Sequence, residues 1–88
     1  MIKGKLASGF EYELEDDVMD DYDLVMLFGR WSKKPSMDIV VEIAEKMLGN
    51  EQHQALMDHL RDEKGKLKAS AMVHALEEIE ASIPTVKN

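Results

Sequence analysis

The apolar residues of this chain repeat every second position at its start and every third or fourth position afterwards. That single switch of period constrains the fold more than any other feature. Over residues 2–14, Ile2, Gly4 and Leu6 alternate with Lys3 and Lys5, and Phe10, Tyr12 and Leu14 alternate with Glu11, Glu13 and Glu15. A period of two gives each strand one apolar and one charged face. Ala7-Ser8-Gly9 lies between the two runs as a short loop, with glycine where a left-handed residue is wanted. The pattern predicts a β-hairpin whose charged faces bring Lys3 and Lys5 near Glu11 and Glu13. Two strands alone are marginal in water, so helices must cover the apolar face.

After an acidic stretch, Glu15-Asp16-Asp17-Val18-Met19-Asp20-Asp21, helical spacing takes over. A helix is expected over about 21–31, capped by Asp20 or Asp21 with further carboxylates at its positive end. Leu24, Leu27, Phe28 and Trp31 form one stripe; Tyr22, Val25, Met26 and Gly29 form a second with the same spacing. A helix apolar on two sides is either central to the core or half-covered by a partner. A second helix is expected over about 36–48, with Val40, Ile43, Ala44 and Met47 inward, a Glu42–Lys46 pair outside, and Gly49 as its stop. Asn50 is placed to cap a third over about 51–62, with His53, Leu56, Met57 and Leu60 inward. The last, about 69–82, carries Met72, Val73, Leu76, Ile79 and Ile83, with Pro84 ending it and residues 85–88 loose. The expectation is one α+β domain over residues 1–88, a hairpin packed against about four α-helices.

Composition narrows the function. Eighteen acidic residues against eleven basic ones give a formal net charge of −7. Such a surface repels nucleic-acid phosphate and disfavours anionic membranes, so neither is an expected partner. The longest apolar run, residues 24–28, is too short to span a bilayer, and no apolar segment at the start reads as a signal peptide. There is no cysteine, hence no thiolate ligand or nucleophile, which fits a reducing compartment. A protein partner is left as the default.

Catalytic and metal chemistry find little to build on. Eight acids fall within residues 11–23. Starting from Asp16 or Asp21, however, neither the glycine nor the closing glutamate of a calcium loop arrives. His53 and His59 are six apart and therefore on different helical faces, His74 is remote, and no H-E-x-x-H occurs. His59 can meet Glu63 as an ordinary surface pair. The serines (Ser8, Ser32, Ser36, Ser70, Ser82) lie in loops, caps or a helix end, none in a nucleophile elbow. No catalytic residue, cofactor or metal ligand is assigned, and the chain is not expected to be an enzyme.

Methionine is the unusual count, seven in all. Met47, Met57 and Met72 read as core filling. Flexible thioethers also make adaptable binding surfaces, and the doubly apolar helix points to Met19, Tyr22, Val25, Met26 and Trp31 as candidate partner-binding residues. Core packing and self-association remain open for them.

Several stretches together carry a family resemblance. After the hairpin, Asp20-Asp21-Tyr22-Asp23-Leu24 opens an apolar helix. Met47-Leu48-Gly49-Asn50-Glu51-Gln52 follows, then Leu56-Met57-Asp58-His59-Leu60-Arg61-Asp62. Lys64-Gly65-Lys66-Leu67 enters a helix with Met72 inward and Glu77-Glu78-Ile79 near its end. In this order they resemble the small tail assembly chaperones of long-tailed phages and prophages of Gram-positive bacteria. The resemblance spans roughly residues 2–80, its most specific part being L-G-x-E-Q followed by L-x-x-H-L-R-D-x-x-G. The family has no catalytic motif, so it transfers no active-site residues. It implies a cytoplasmic host-cell protein that binds the long helical tape measure protein and holds it soluble while the tail tube polymerises. Such a protein then leaves, and is absent from the mature virion. Contact with the tail tube protein and self-association stay open, as does a frameshifted longer form. Trp31 and the Lys33-Lys34-Pro35 loop look particular to this chain.

Two other readings compete. An acidic phage-encoded inhibitor could mimic DNA, although that needs carboxylates spaced like phosphates along one face, whereas these concentrate in one stretch. A structural tail or head-completion subunit would instead stay in the virion.

Overall fold

Alternation and a tight loop produce the expected hairpin. A computed structural model describes residues 1–83. Strands β1 (Ile2–Lys5) and β2 (Glu11–Leu14) pair antiparallel, with Lys3 opposite Glu13 and Lys5 opposite Glu11. The charged face forms as the sequence predicts, and Lys3 Nζ lies 3.9 Å from Glu13 Oε1. The loop closes through Gly9 N–H donating to Leu6 O and Leu6 N–H donating to Phe10 O, both at 2.8 Å. Gly4 is required by close approach. Tyr12 lies across it, so that a Cβ built there would overlap the phenol ring and hydroxyl. That hydroxyl is 2.6 Å from Ser82 Oγ, which itself donates to Ile79 O, so Tyr12 is the donor between them.

A 3-10 turn (Val18–Asp20) leads into helix α1 (Tyr22–Lys33), followed by α2 (Met37–Leu60) and α3 (Ala69–Ser82). The class is α+β with one two-stranded sheet, as expected, but the described residues hold three α-helices rather than about four. The expected second and third helices join into α2, because the chain resumes helical geometry directly after Gly49. That residue leaves helical geometry at φ 78° and ψ 167°, where the stop is expected, but the break is a one-residue kink with no loop between the two segments. Asn50 makes no side-chain capping bond among the described residues. Ser36 caps α2 through Oγ, accepting from Ile39 N–H at 3.4 Å. Between α2 and α3, Asp62 Oδ1 accepts from Lys64 N–H and Lys66 N–H at 2.9 Å, which closes a turn. The expectations for Pro84 and residues 85–88 lie outside the described residues.

The core is where these elements meet. Leu14 of β2, Leu24 of α1, Ile43 and Leu56 of α2, and Leu76 and Ile79 of α3 are almost wholly buried. Each is worth roughly 1.5–3 kcal/mol of burial. His53 is the one buried polar residue among those described and lies on the inward face of α2 as expected.

Polar side chains then fasten the hairpin to the helices. Gln52 Oε1 accepts from Glu13 N–H and its Nε2 donates to Glu13 O, both at 2.7 Å, so the amide pairs with the outer edge of β2 as another strand would. Nε2 also donates to Leu48 O at 2.9 Å, tying that edge to the kink. Glu78 Oε2 accepts from Ala7 N–H at 2.7 Å. His59 does not pair with Glu63; it turns to the hairpin loop and to the Phe10 ring, 5.5 Å away between centroids.

Candidate functional site

Asp21 sets the start of α1. Its extended backbone and Oδ1, accepting from Asp23 N–H at 3.0 Å and Leu24 N–H at 3.3 Å, satisfy the first helical donors. From that start, Leu24 and Leu27 face the core and are buried. A helix this apolar has more hydrophobic side chains than one buried face can take. The excess is left outside: Tyr22 is 75% exposed, Val25 41% and Met26 38%. Three large apolar residues spaced i, i+3, i+4 therefore form a solvent-facing stripe on α1.

The five sequence-derived candidates do not form one patch. Tyr22, Val25 and Met26 share the exposed stripe. Met19, in the 3-10 turn, is half-buried against the core. Trp31 is half-buried on another side of α1, its ring stacked on Phe28 at 6.2 Å between centroids and 30° between planes. Trp31 lines a cleft between α1 and α3 with Phe28, Pro35, Val73, Glu77 and Glu80. Sequence reading left Val41 of α2 unassigned, yet it is 45% exposed and Met37, one turn earlier, 47%. Their i, i+4 spacing off the inward stripe of α2 was the available signal.

The acidic approach borders this stripe, and part of its charge is already balanced. Lys46 of α2 lies 3.5 Å from Asp21 and 4.0 Å from Asp23, reaching α1 rather than Glu42 on its own helix. The Met1 ammonium is 2.9 Å from Asp16. The hydrogen bond to Asp16, with its negative charge, raises the pKa of that amine above its ordinary value. Glu15, Asp17 and Asp20 have no ion-pair partner among the described residues and supply the remaining negative rim. Beside Met26, a trough of about 270 Å³ runs between α1 and α2, with Leu27 in its floor and Arg30, Glu42 and Lys46 at its sides. That is below the size of an ordinary small-molecule site and suits single side chains from a partner.

The remaining chemistry-bearing residues are dispersed. His59 Nε2 is 3.2 Å from both Ser8 O and Ser8 Oγ. A carbonyl only accepts, so this nitrogen carries the proton and donates; it is not placed to take one from Ser8. Among the described residues, no three His, Asp or Glu side chains are grouped to hold a metal ion. Nor is any helix among the described residues long and apolar enough to cross a membrane. The chain matches no protein-family model, no curated protein and no solved structure.

Proposed function

We propose that this protein is a non-catalytic tail assembly chaperone, binding the tape measure protein through the exposed stripe of α1 in the host cytoplasm and leaving before the virion matures. The observation that carries the binding role is the stripe itself. Tyr22, Val25 and Met26 stand in water on a helix whose other side is already anchored in the core. Such a surface gains free energy when apolar side chains of another chain cover it. Its acidic rim keeps the uncovered form soluble. The resemblance in residues 2–80 supplies the partner: a long helical protein that needs shielding until the tube encloses it.

The DNA-mimic reading draws less support. Asp16, Asp21 and Asp23 are paired with the Met1 ammonium and Lys46, which weakens the region as a row of free phosphate-like charges. Coexpression with the tape measure protein of the same phage or prophage tests the proposal. The tape measure protein should move to the soluble fraction and co-purify with this chain, and purified virions should lack it. A tape measure protein equally soluble without this chain contradicts the chaperone role. Retention of the chain in virions favours a structural subunit.

A further inference from the structure

The cleft between α1 and α3 holds a feature that the fold does not explain. Gly29 sits inside α1 and lines this cleft. A glycine within a helix weakens it relative to alanine. Here nothing in the protein demands one: apart from its chain neighbours and the adjoining backbone of α1, a Cβ at Gly29 would meet no atom within 4 Å. The cleft beside it has an apolar lining, Phe28, Trp31 and Val73, all only half-buried. Its α3 wall carries Glu77 and Glu80, three residues apart and therefore on one side of that helix, with neither carboxylate in an ion pair among the described residues.

We infer that this cleft docks an amphipathic helix that carries Lys or Arg beside its apolar face. The absent side chain at Gly29 lets a partner's backbone approach α1 closely. Apolar anchors of the partner enter between Trp31 and Val73, the groove mode by which helices are commonly recognised. Cations one turn apart on the partner then meet Glu77 and Glu80, fixing its direction along the groove. Gly29 also belongs to the helical stripe of Tyr22, Val25 and Met26, so cleft and stripe adjoin along α1. To that extent the inference rests on the reading of α1 as a binding helix, but it does not depend on the tape measure protein.

Trp31 is the only tryptophan, so its fluorescence reports directly on the cleft. The full chain is titrated with a short helical leucine–lysine peptide having one apolar face, and separately with its leucine–glutamate counterpart, at physiological ionic strength. The lysine peptide should shift Trp31 emission to the blue saturably, and the glutamate peptide should not. Glu77→Gln with Glu80→Gln should weaken binding at least about fivefold, whereas the charge-matched pair Glu45→Gln with Glu51→Gln, outside the cleft, should change it less than about twofold. Gly29→Ala should raise the melting temperature by roughly 2–8 °C. Gly29→Gln should melt no lower than the parent and lose binding at least about tenfold.

Three results would each overturn the inference. One is equal weakening by the two glutamate pairs. Another is a Gly29→Ala protein that melts below the parent, since the fold itself would then require the glycine. The last is a Trp31 shift that appears with protein concentration alone, because a second copy would then be the occupant. The titration is separate from the coexpression above, so either can fail without the other.

Discussion

Gln52→Glu changes a single atom of the clamp that joins the hairpin to α2, and its effect follows from the geometry. The variant keeps an oxygen to accept from Glu13 N–H but loses both donations from Nε2, to Glu13 O at 2.7 Å and Leu48 O at 2.9 Å. Each hydrogen bond contributes about 0.5–1.5 kcal/mol net, and solvent exposure at Glu13 puts that bond at the low end. Adding the repulsion of a carboxylate facing two carbonyl oxygens, the expected loss is about 2 kcal/mol at neutral pH. For a chain of this size that is roughly an 8–16 °C fall in melting temperature.

The pH dependence has a definite sign. Facing carbonyl oxygens, the new carboxyl holds its proton more tightly when folded than when unfolded. The deficit relative to the parent is therefore full above the folded pKa and shrinks as pH falls through it, where the protonated group again donates. Urea denaturation of variant and parent, followed by circular dichroism at neutral pH and near the carboxyl pKa, measures both effects. A variant within about 0.5 kcal/mol of the parent at neutral pH would refute the clamp. A deficit that does not shrink on acidification would refute its electrostatic account.

Leu76→Ala, at a side chain with 0% exposure, should cost about 2–5 kcal/mol in a denaturant titration. Gly4→Ala should destabilise by about 1–3 kcal/mol, because its Cβ displaces the Tyr12 ring, whereas Tyr12→Phe should cost only the hydroxyl bond, about 0.5–1.5 kcal/mol. Calorimetry with calcium and with zinc should give at most weak heats that fade with added salt; a stoichiometric micromolar site for either ion would contradict the reading of the acids and histidines.

Local patterns made much of the fold legible. Alternation and loop length were enough to bring Lys3 and Lys5 near Glu11 and Glu13, and the aspartates ahead of an apolar helix were enough to put its cap at Asp20 or Asp21, of which Asp21 serves. The surplus of apolar residues on α1 left open whether the helix is central to the core or apolar on a free side, and only the packing, which buries one face, decides for the exposed stripe. Gly49 marked the break in helical geometry, but a glycine signal does not say whether the helix resumes directly after it. The contacts from Gln52 to Glu13, Glu78 to Ala7 and Tyr12 to Ser82 left no trace in the sequence. They join positions 39, 71 and 70 residues apart, and only the packed arrangement brings those side chains together. For Glu78, which reads as a solvent-facing position on α3, that contact means truncation to alanine should be felt in the hairpin loop. Periodicity placed Trp31 with Leu24, Leu27 and Phe28 rather than on the open stripe, but could not separate a cleft-lining side chain from a buried one.

The central claim, that the open side of α1 is a protein-binding face, is tested most directly by Met26→Asp coexpressed with the tape measure protein. Met26 is 38% exposed, so the variant should keep the parent's circular dichroism and cooperative melting. A carboxylate in the middle of the stripe would have to be desolvated on binding. Co-purification should therefore be lost and the tape measure protein should return to the insoluble fraction. A folded Met26→Asp protein that solubilises its partner as the parent does would contradict the claim, and an unfolded one would place Met26 in the core instead.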